Sequence, residues 1–223
     1  MSDILYIDLE TAETIDTDII QDISDNIKPP GNIKKQETID KWVEEKKPAA
    51  IAEAVSKTSF SGLAGSIVCI CWAVNDGEVQ TVYRDFNQPE GKMIQRFWEQ
   101  LVSKNGVNFN PMYCGHNICG FDLRFLFHRC VINNIKPPIY LPYNDKPWSK
   151  FVYDTLFETM GDNKAGGSLG RIAKAFDIEG KLKGMDGSMV NQYFLDGRGK
   201  EIALYCKQDV EITRNIYKKL NFL

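Results

Sequence analysis

Five side chains on three short stretches of this chain have the types and spacing to act on a phosphodiester. Asp8-Leu9-Glu10 lies near the start, Asn117-Ile118-Cys119-Gly120-Phe121-Asp122 in the middle, and Tyr205-Cys206-Lys207-Gln208-Asp209 near the end. Asp8 and Glu10 alternate by two, so on a strand both carboxylates project from one face. Carboxylates pointing inward from an apolar strand are costly unless something compensates, and a divalent cation is a natural compensation. Tyr205 and Asp209 stand four apart, hence neighbours on one helical face that continues through Ile202, Ile216 and Leu220. Asp122 falls in the first turn of an amphipathic pattern, a place where the helix dipole alone favours an acid. Singly, each has an ordinary explanation: a cap at a strand end, an ion pair with a lysine, a Tyr–Asp hydrogen bond in a core. Together, four carboxylates and one phenol could hold two divalent cations and aim a water at a phosphodiester.

The elements that must position these groups follow from periodicity. Apolar runs at 4–9 and 66–74 read as buried strands. Asn75-Asp76-Gly77 predicts a hairpin turn, with a return strand at 79–84. Helices are expected at 89–104, 121–133 and 200–220, and strands at 112–116 and 151–155. A shorter helix at 169–176 would start from Ser168 as N-cap. Strand, hairpin, helix, strand, helix, strand, helix is an α/β order with mixed strand directions. It fits a ribonuclease H-like mixed sheet flanked by helices better than a doubly wound dinucleotide fold. No GxGxxG follows the first strand and no GxxxxGK[ST] occurs.

Residues 11–65 interrupt this order with Pro29-Pro30-Gly31, then Ile39, Trp42 and Val43 at helical spacing, then Ile51, Ala54 and Val55. The reading is one domain, 1–223, with a mostly helical insertion after the first strand. The insertion is expected to pack beside the sheet. The alternative is a lid or arm, with its lysines set against phosphates.

Composition excludes several classes. No run approaches the roughly 18 apolar residues of a membrane helix, and the opening residues offer no secretory signal. The expected setting is cytoplasmic. Six cysteines without a CxxC pair, and only His116 and His128 as histidines, argue for reduced thiols and against a zinc site. The net charge of −3 is unevenly spread. Residues 1–60 carry 7 basic and 13 acidic side chains, whereas residues 61–223 carry 20 and 17. A short grip on a strand end is compatible with that balance, and a wide duplex footprint is not. Asp154, ending a strand, is expected to cap the next segment, with an outer-sphere role at the site as the alternative.

Taken together, Tyr6 to Thr11, His116 to Asp122 and Tyr205 to Val210 resemble the DEDDy branch of the DEDD superfamily of 3′→5′ exonucleases. They look most like stand-alone phage and prophage enzymes related to the proofreading domain of family B polymerases. The resemblance covers about residues 3–10 and 66–221. It implies two Mg²⁺ or Mn²⁺ ions held by Asp8, Glu10, Asp122 and Asp209. Tyr205 and Glu10 would orient the attacking water, and nucleoside 5′-monophosphates would be released from a DNA 3′ end. Leu9, Thr11, Asn117, Phe121, Lys181 and Lys183 are the candidate substrate contacts, with Arg171 nearby, and Leu9 and Phe121 are equally well explained as core. An exoribonuclease of the same mechanism and a non-catalytic nucleic-acid binding module are the competing readings. A separate polymerase or replication protein is a conceivable partner, and no membrane is involved.

Overall fold

The structure is a computed structural model and describes residues 3–163, 165–180 and 185–223. Its centre is a five-stranded sheet of order β3-β2-β1-β4-β5. The strands are β1 (Ile4–Ala12), β2 (Ser66–Val74), β3 (Gln80–Tyr83), β4 (Met112–Gly115) and β5 (Val152–Asp154). β2 runs antiparallel to β1 and β3 antiparallel to β2, while β4 and β5 run parallel to β1 and β4 respectively. β1 is therefore central and covered on both faces. Leu5, Ile7 and Leu9 enter a core with α4 (Glu90–Asn105) and α5 (Asp122–Ile132). Tyr6 and Ala12 face the opposite layer, built from α8 (Val190–Leu195) and α9 (Gly199–Leu220). The period of two in β1 thus sends Leu5, Ile7 and Leu9 one way and Tyr6, Asp8 and Glu10 the other, toward α9.

The predicted elements are present, with ends moved by a few residues. β1 runs on to Ala12, beyond the expected stop at residue 9, because its pairing with β2 continues past a bulge between Glu10 and Thr11. The return strand is shorter than expected because residues 75–79 all belong to the turn region before β3. Ser168 precedes α7 (Leu169–Ala175) but its side chain caps no backbone N–H. Two short helices, α6 (Thr155–Met160) and α8, carry too few turns to leave a periodic signature and were not predicted.

The segment after β1 is helical, as expected, in α1 (Thr17–Asn26), α2 (Gln36–Glu45) and α3 (Lys47–Ser56), followed by a 3-10 turn at Lys57–Phe60. These helices add no residue to the buried core, and α1 and α2 both rest on α3. Their apolar stripes are covered only in part, with Val43 on α2 left 45% exposed. The connection to the sheet is made lower down, where Thr11 Oγ1 donates to the Ser59 carbonyl at 2.7 Å and Thr58 Oγ1 accepts from Thr14 N at 2.8 Å.

Candidate active site

β1 and β4 are parallel neighbours only as far as Tyr6 and Cys114. Past that point they part, and the carboxyl end of β1 is left with an open edge. A crevice at the carboxyl ends of parallel strands is where α/β sheets place their chemistry. Three stretches distant in sequence meet there.

β1 brings Asp8, partly accessible, and Glu10, 8% exposed. The bulge directly after Glu10 shifts the register of the β1–β2 pairing, a device that re-aims side chains near sheet ends. α5 brings Asp122, its first residue, 4% exposed. Asp122 Oδ1 accepts from the Leu9 backbone N–H at 3.2 Å, so it fills the edge position that β4 has vacated. α9 brings Tyr205 and Asp209 on its buried face, 5% and 6% exposed. Cys206, between them, donates from Sγ to the Asp8 carbonyl and to Asp8 Oδ2, each at 3.4 Å.

The loop from β4 to α5 is held by Asp154 at the end of β5. That carboxylate is fully buried and accepts from Asn117 N at 2.9 Å, Cys119 N at 3.2 Å and Leu156 N at 3.1 Å. It caps α6, as expected, and also fixes the turn that aims Asp122. Asn117 takes a left-handed conformation, φ +60°, and its carbonyl accepts from Gly120 N and Phe121 N. Gly115 ends β4 because Ile118 folds back against it: a Cβ there would lie 2.8 Å from the Ile118 side chain. His116 bridges Thr155 Oγ1 at 3.0 Å and the Gly167 carbonyl at 2.8 Å, a structural role.

The electrostatics of the acids are unfavourable without a counter-charge. Burial pushes the Asp8 carboxyl well above the usual carboxylate range, and the charges of Asp122 and Asp209 add to the shift. Burial likewise raises Asp122 to about 7, although its own backbone N–H and that of Leu9 act against the rise. Ligand atoms of Asp8, Glu10 and Cys206 lie within 4.8 Å of one another. Crowded oxygen donors that raise each other's pKa fit a hard divalent cation such as Mg²⁺ or Mn²⁺. A second group, Cys69, Cys71 and Cys206, lies equally close, with Cys69 and Cys71 Sγ 3.7 Å apart. Thiols scattered along the sequence are gathered here because Cys71 and Cys69 are the cross-strand partners of Asp8 and Glu10.

A pH effect on stability follows for the metal-free protein. Between the ordinary carboxylate range and about 7, folded Asp122 keeps a proton that the unfolded chain releases. The folded state then binds more protons, so stability falls as pH rises through that window. The melting temperature in chelator should drop from about pH 5 to about pH 8, and Asp122→Asn should flatten the drop. A profile that rises with pH in both proteins would contradict the assigned shift.

The remaining sequence-predicted contacts divide. Leu9 is buried in the core under α5, Thr11 is tied to Ser59, and Phe121 is partly buried against Phe125 with ring centroids 5.3 Å apart. Arg171 is exposed on α7. Lys181 and Lys183 lie outside the described residues. Asp154 and Cys206 have larger parts than sequence spacing indicated. For Cys206 a signal existed, its place inside the Tyr-x-x-x-Asp stretch.

The β3-β2-β1-β4-β5 mixed sheet flanked by helices is an α/β fold of the ribonuclease H-like kind, with acids gathered at the carboxyl end of its central strand. A family model described as a predicted 3′-5′ exonuclease related to the exonuclease domain of PolB matches residues 62–223, and the chain belongs to that family. Among solved structures, the family B DNA polymerase of the hyperthermophilic archaeon Pyrobaculum calidifontis is similar over 99% of this chain, with 16% identity and a TM-score of 0.58. That similarity is one of fold, and the chain spans 25% of the polymerase's length. No curated protein matches the chain. Among the described residues no helix is long and apolar enough to cross a membrane.

Proposed function

We propose that the chain is a 3′→5′ exonuclease that removes nucleotides from the 3′ end of DNA as nucleoside 5′-monophosphates. The supporting observation is the convergence of Asp8, Glu10, Asp122 and Asp209, from β1, α5 and α9, where burial, and then the charges of Asp122 and Asp209, raise Asp8. Two Mg²⁺ or Mn²⁺ ions, held by these four carboxylates, would supply a polarised water and stabilise charge on the leaving 3′-oxygen. Asp8, central among the acids, spans the site. Glu10 accepts a hydrogen bond from the attacking water. Tyr205 orients that water from the α9 side. A tyrosine of ordinary pKa near 10 positions better than it abstracts a proton. Phe121, only partly buried, stacks on the terminal base, whereas Leu9 belongs to the core.

Tyr205→Phe keeps the ring and removes only the hydroxyl. Its expected effect is a loss of about 10–100-fold in kcat with KM little changed, as for a group that orients a reactant. An unchanged kcat would remove Tyr205 from the mechanism.

The test of the function is degradation of 3′- and 5′-labelled single-stranded DNA and RNA oligonucleotides with Mg²⁺, Mn²⁺ or chelator. A metal-dependent ladder shortening from the 3′ end, absent in Asp8→Ala, is expected, with DNA the faster substrate. No cleavage of either polymer with either metal would overturn the enzyme reading.

A further inference from the structure

Beside the group of acids, and reached through Phe121 next to Asp122, lies a small pocket. It has a volume of about 190 Å³ and is lined by Phe60, Gly62, Phe121, Arg124, Phe125 and His128, among others. Residues 121, 124, 125 and 128 recur at helical spacing, so one face of α5 forms a wall. The opposite wall is the segment that follows the 3-10 turn after α3. Phe60 is 74% exposed, which is unusual for a ring set next to other aromatics.

The position of this segment is over-determined. Ser59 is tied to Thr11, the residue after Glu10, by the 2.7 Å hydrogen bond from the threonine hydroxyl. Gly62 presses on α5 so closely that a Cβ would lie 3.0 Å from the Phe125 backbone and from His128 Cβ. The Gly62 carbonyl accepts from Arg129 Nη1 at 3.3 Å, and Arg129 is itself paired with Glu90 at 2.6 Å. Phe60 is thereby held beside Phe121, the residue before Asp122, in the lining of one pocket.

We propose that Phe60, Phe121, Arg124 and His128 form a nucleotide subsite that receives one unpaired base upstream of the scissile nucleotide, together with its phosphate. Aromatic faces that accept any base, beside cations that meet the backbone, are the chemistry of single-strand recognition. The pocket is smaller than the roughly 300–1,000 Å³ of sites that enclose a whole ligand, which suits a single base. The exposed guanidinium of Arg124 provides the phosphate contact. A subsite of this kind admits a strand only when its last few bases are unpaired.

This inference rests on the exonuclease reading, so its test measures binding, without catalysis. Wild type, Phe60→Ala and Arg124→Ala are titrated with a fluorescent single-stranded DNA in chelator. Each titration is repeated with an abasic residue at the second, third or fourth position from the 3′ end. Phe60→Ala should weaken binding about tenfold, the lower range of one base–aromatic stack. At one abasic position the wild type should lose the same factor and Phe60→Ala should lose no more. Arg124→Ala should reduce the slope of log affinity against log salt by about 0.7, one single-strand phosphate. Phe60 is exposed and its removal leaves no core cavity, so a folding defect is not expected. If wild type binds DNA but Phe60→Ala shows no coupling at any position, the subsite alone is overturned. If wild type neither binds nor cleaves any strand, the exonuclease reading falls and the subsite falls with it.

Discussion

Asp8→Asn is expected to abolish strand degradation while leaving the metal-free protein at least as stable as wild type. The substitution is nearly isosteric, and the amide oxygen can still accept from Cys206, whose Sγ lies 3.4 Å from Asp8 Oδ2. It removes the charge that Asp122 and Asp209 oppose. At neutral pH the wild-type site must ionise crowded carboxyls against burial, or hold protons there. The asparagine does neither, so its melting temperature in chelator should equal or exceed that of wild type, increasingly so above about pH 7. Catalysis has the opposite requirement. Losing a central carboxylate removes several kcal/mol of transition-state charge stabilisation, and about 4 kcal/mol is already a thousandfold in rate. Labelled-oligonucleotide ladders and thermal melts with and without Mg²⁺ read both effects. In the melts Mg²⁺ should stabilise wild type and have much less effect on the variant. An asparagine variant that degrades DNA at the wild-type rate would sink the assignment of Asp8. One that is strongly destabilised in chelator would mean that Asp8 is a structural carboxylate.

Glu90→Ala is expected to cost about 3–5 kcal/mol of stability, the range for removing one partner of a buried ion pair. Glu90 opens α4 and is 9% exposed. Its carboxylate accepts from Arg129 Nη2 at 2.6 Å, from Asn133 Nδ2 at 3.0 Å and from the Ile67 backbone N–H at 2.7 Å. It therefore joins α4, α5 and β2 at one point. Truncation leaves the guanidinium of Arg129, whose side chain is 12% exposed, without its countercharge. For a chain of this size, each kcal/mol moves the melting temperature by about 2–4 °C, so a fall of about 10 °C is expected. The Gly62 carbonyl, held by the same Arg129, should loosen as well, weakening single-strand binding along with stability. Denaturant unfolding of Glu90→Ala, Arg129→Met and the double variant forms the check. The double variant should recover part of the loss, because the stranded charge is gone. A cost below about 1 kcal/mol would show the pair to be hydrated, as exposed pairs are.

Glu90 and Arg129 also show where sequence reasoning stops. They stand 39 residues apart, and no periodic pattern links them. Asp154 is a similar case. Its capping of α6 is local and was foreseen, but its bonds to Asn117 and Cys119 depend on β5 pairing with β4. Two helices of the insertion, α2 and α3, were legible from the spacing of Ile39, Trp42 and Val43 and of Ile51, Ala54 and Val55. Their failure to enter the core was not, because an amphipathic stripe does not say which partner will cover it. Phe60 and His128 belong here too. An exposed phenylalanine and a histidine on a helix have no sequence signature of a shared pocket.

What the sequence determined by itself is whatever a short-range period encodes. Alternation in β1 puts Asp8 and Glu10 on one face, and the four-residue step puts Tyr205 and Asp209 on another. The order of strands and helices followed from the same periods. Only the tertiary structure decided that β1 parts from β4 after Tyr6, that Asp122 takes up the vacated edge at Leu9, and that Cys69, Cys71 and Cys206 gather beneath Asp8. Periodicity orients a side chain relative to its own element. Which elements then meet is set by register, bulges and buried polar pairing between segments more than a hundred residues apart, and these exist only once the chain has closed on itself.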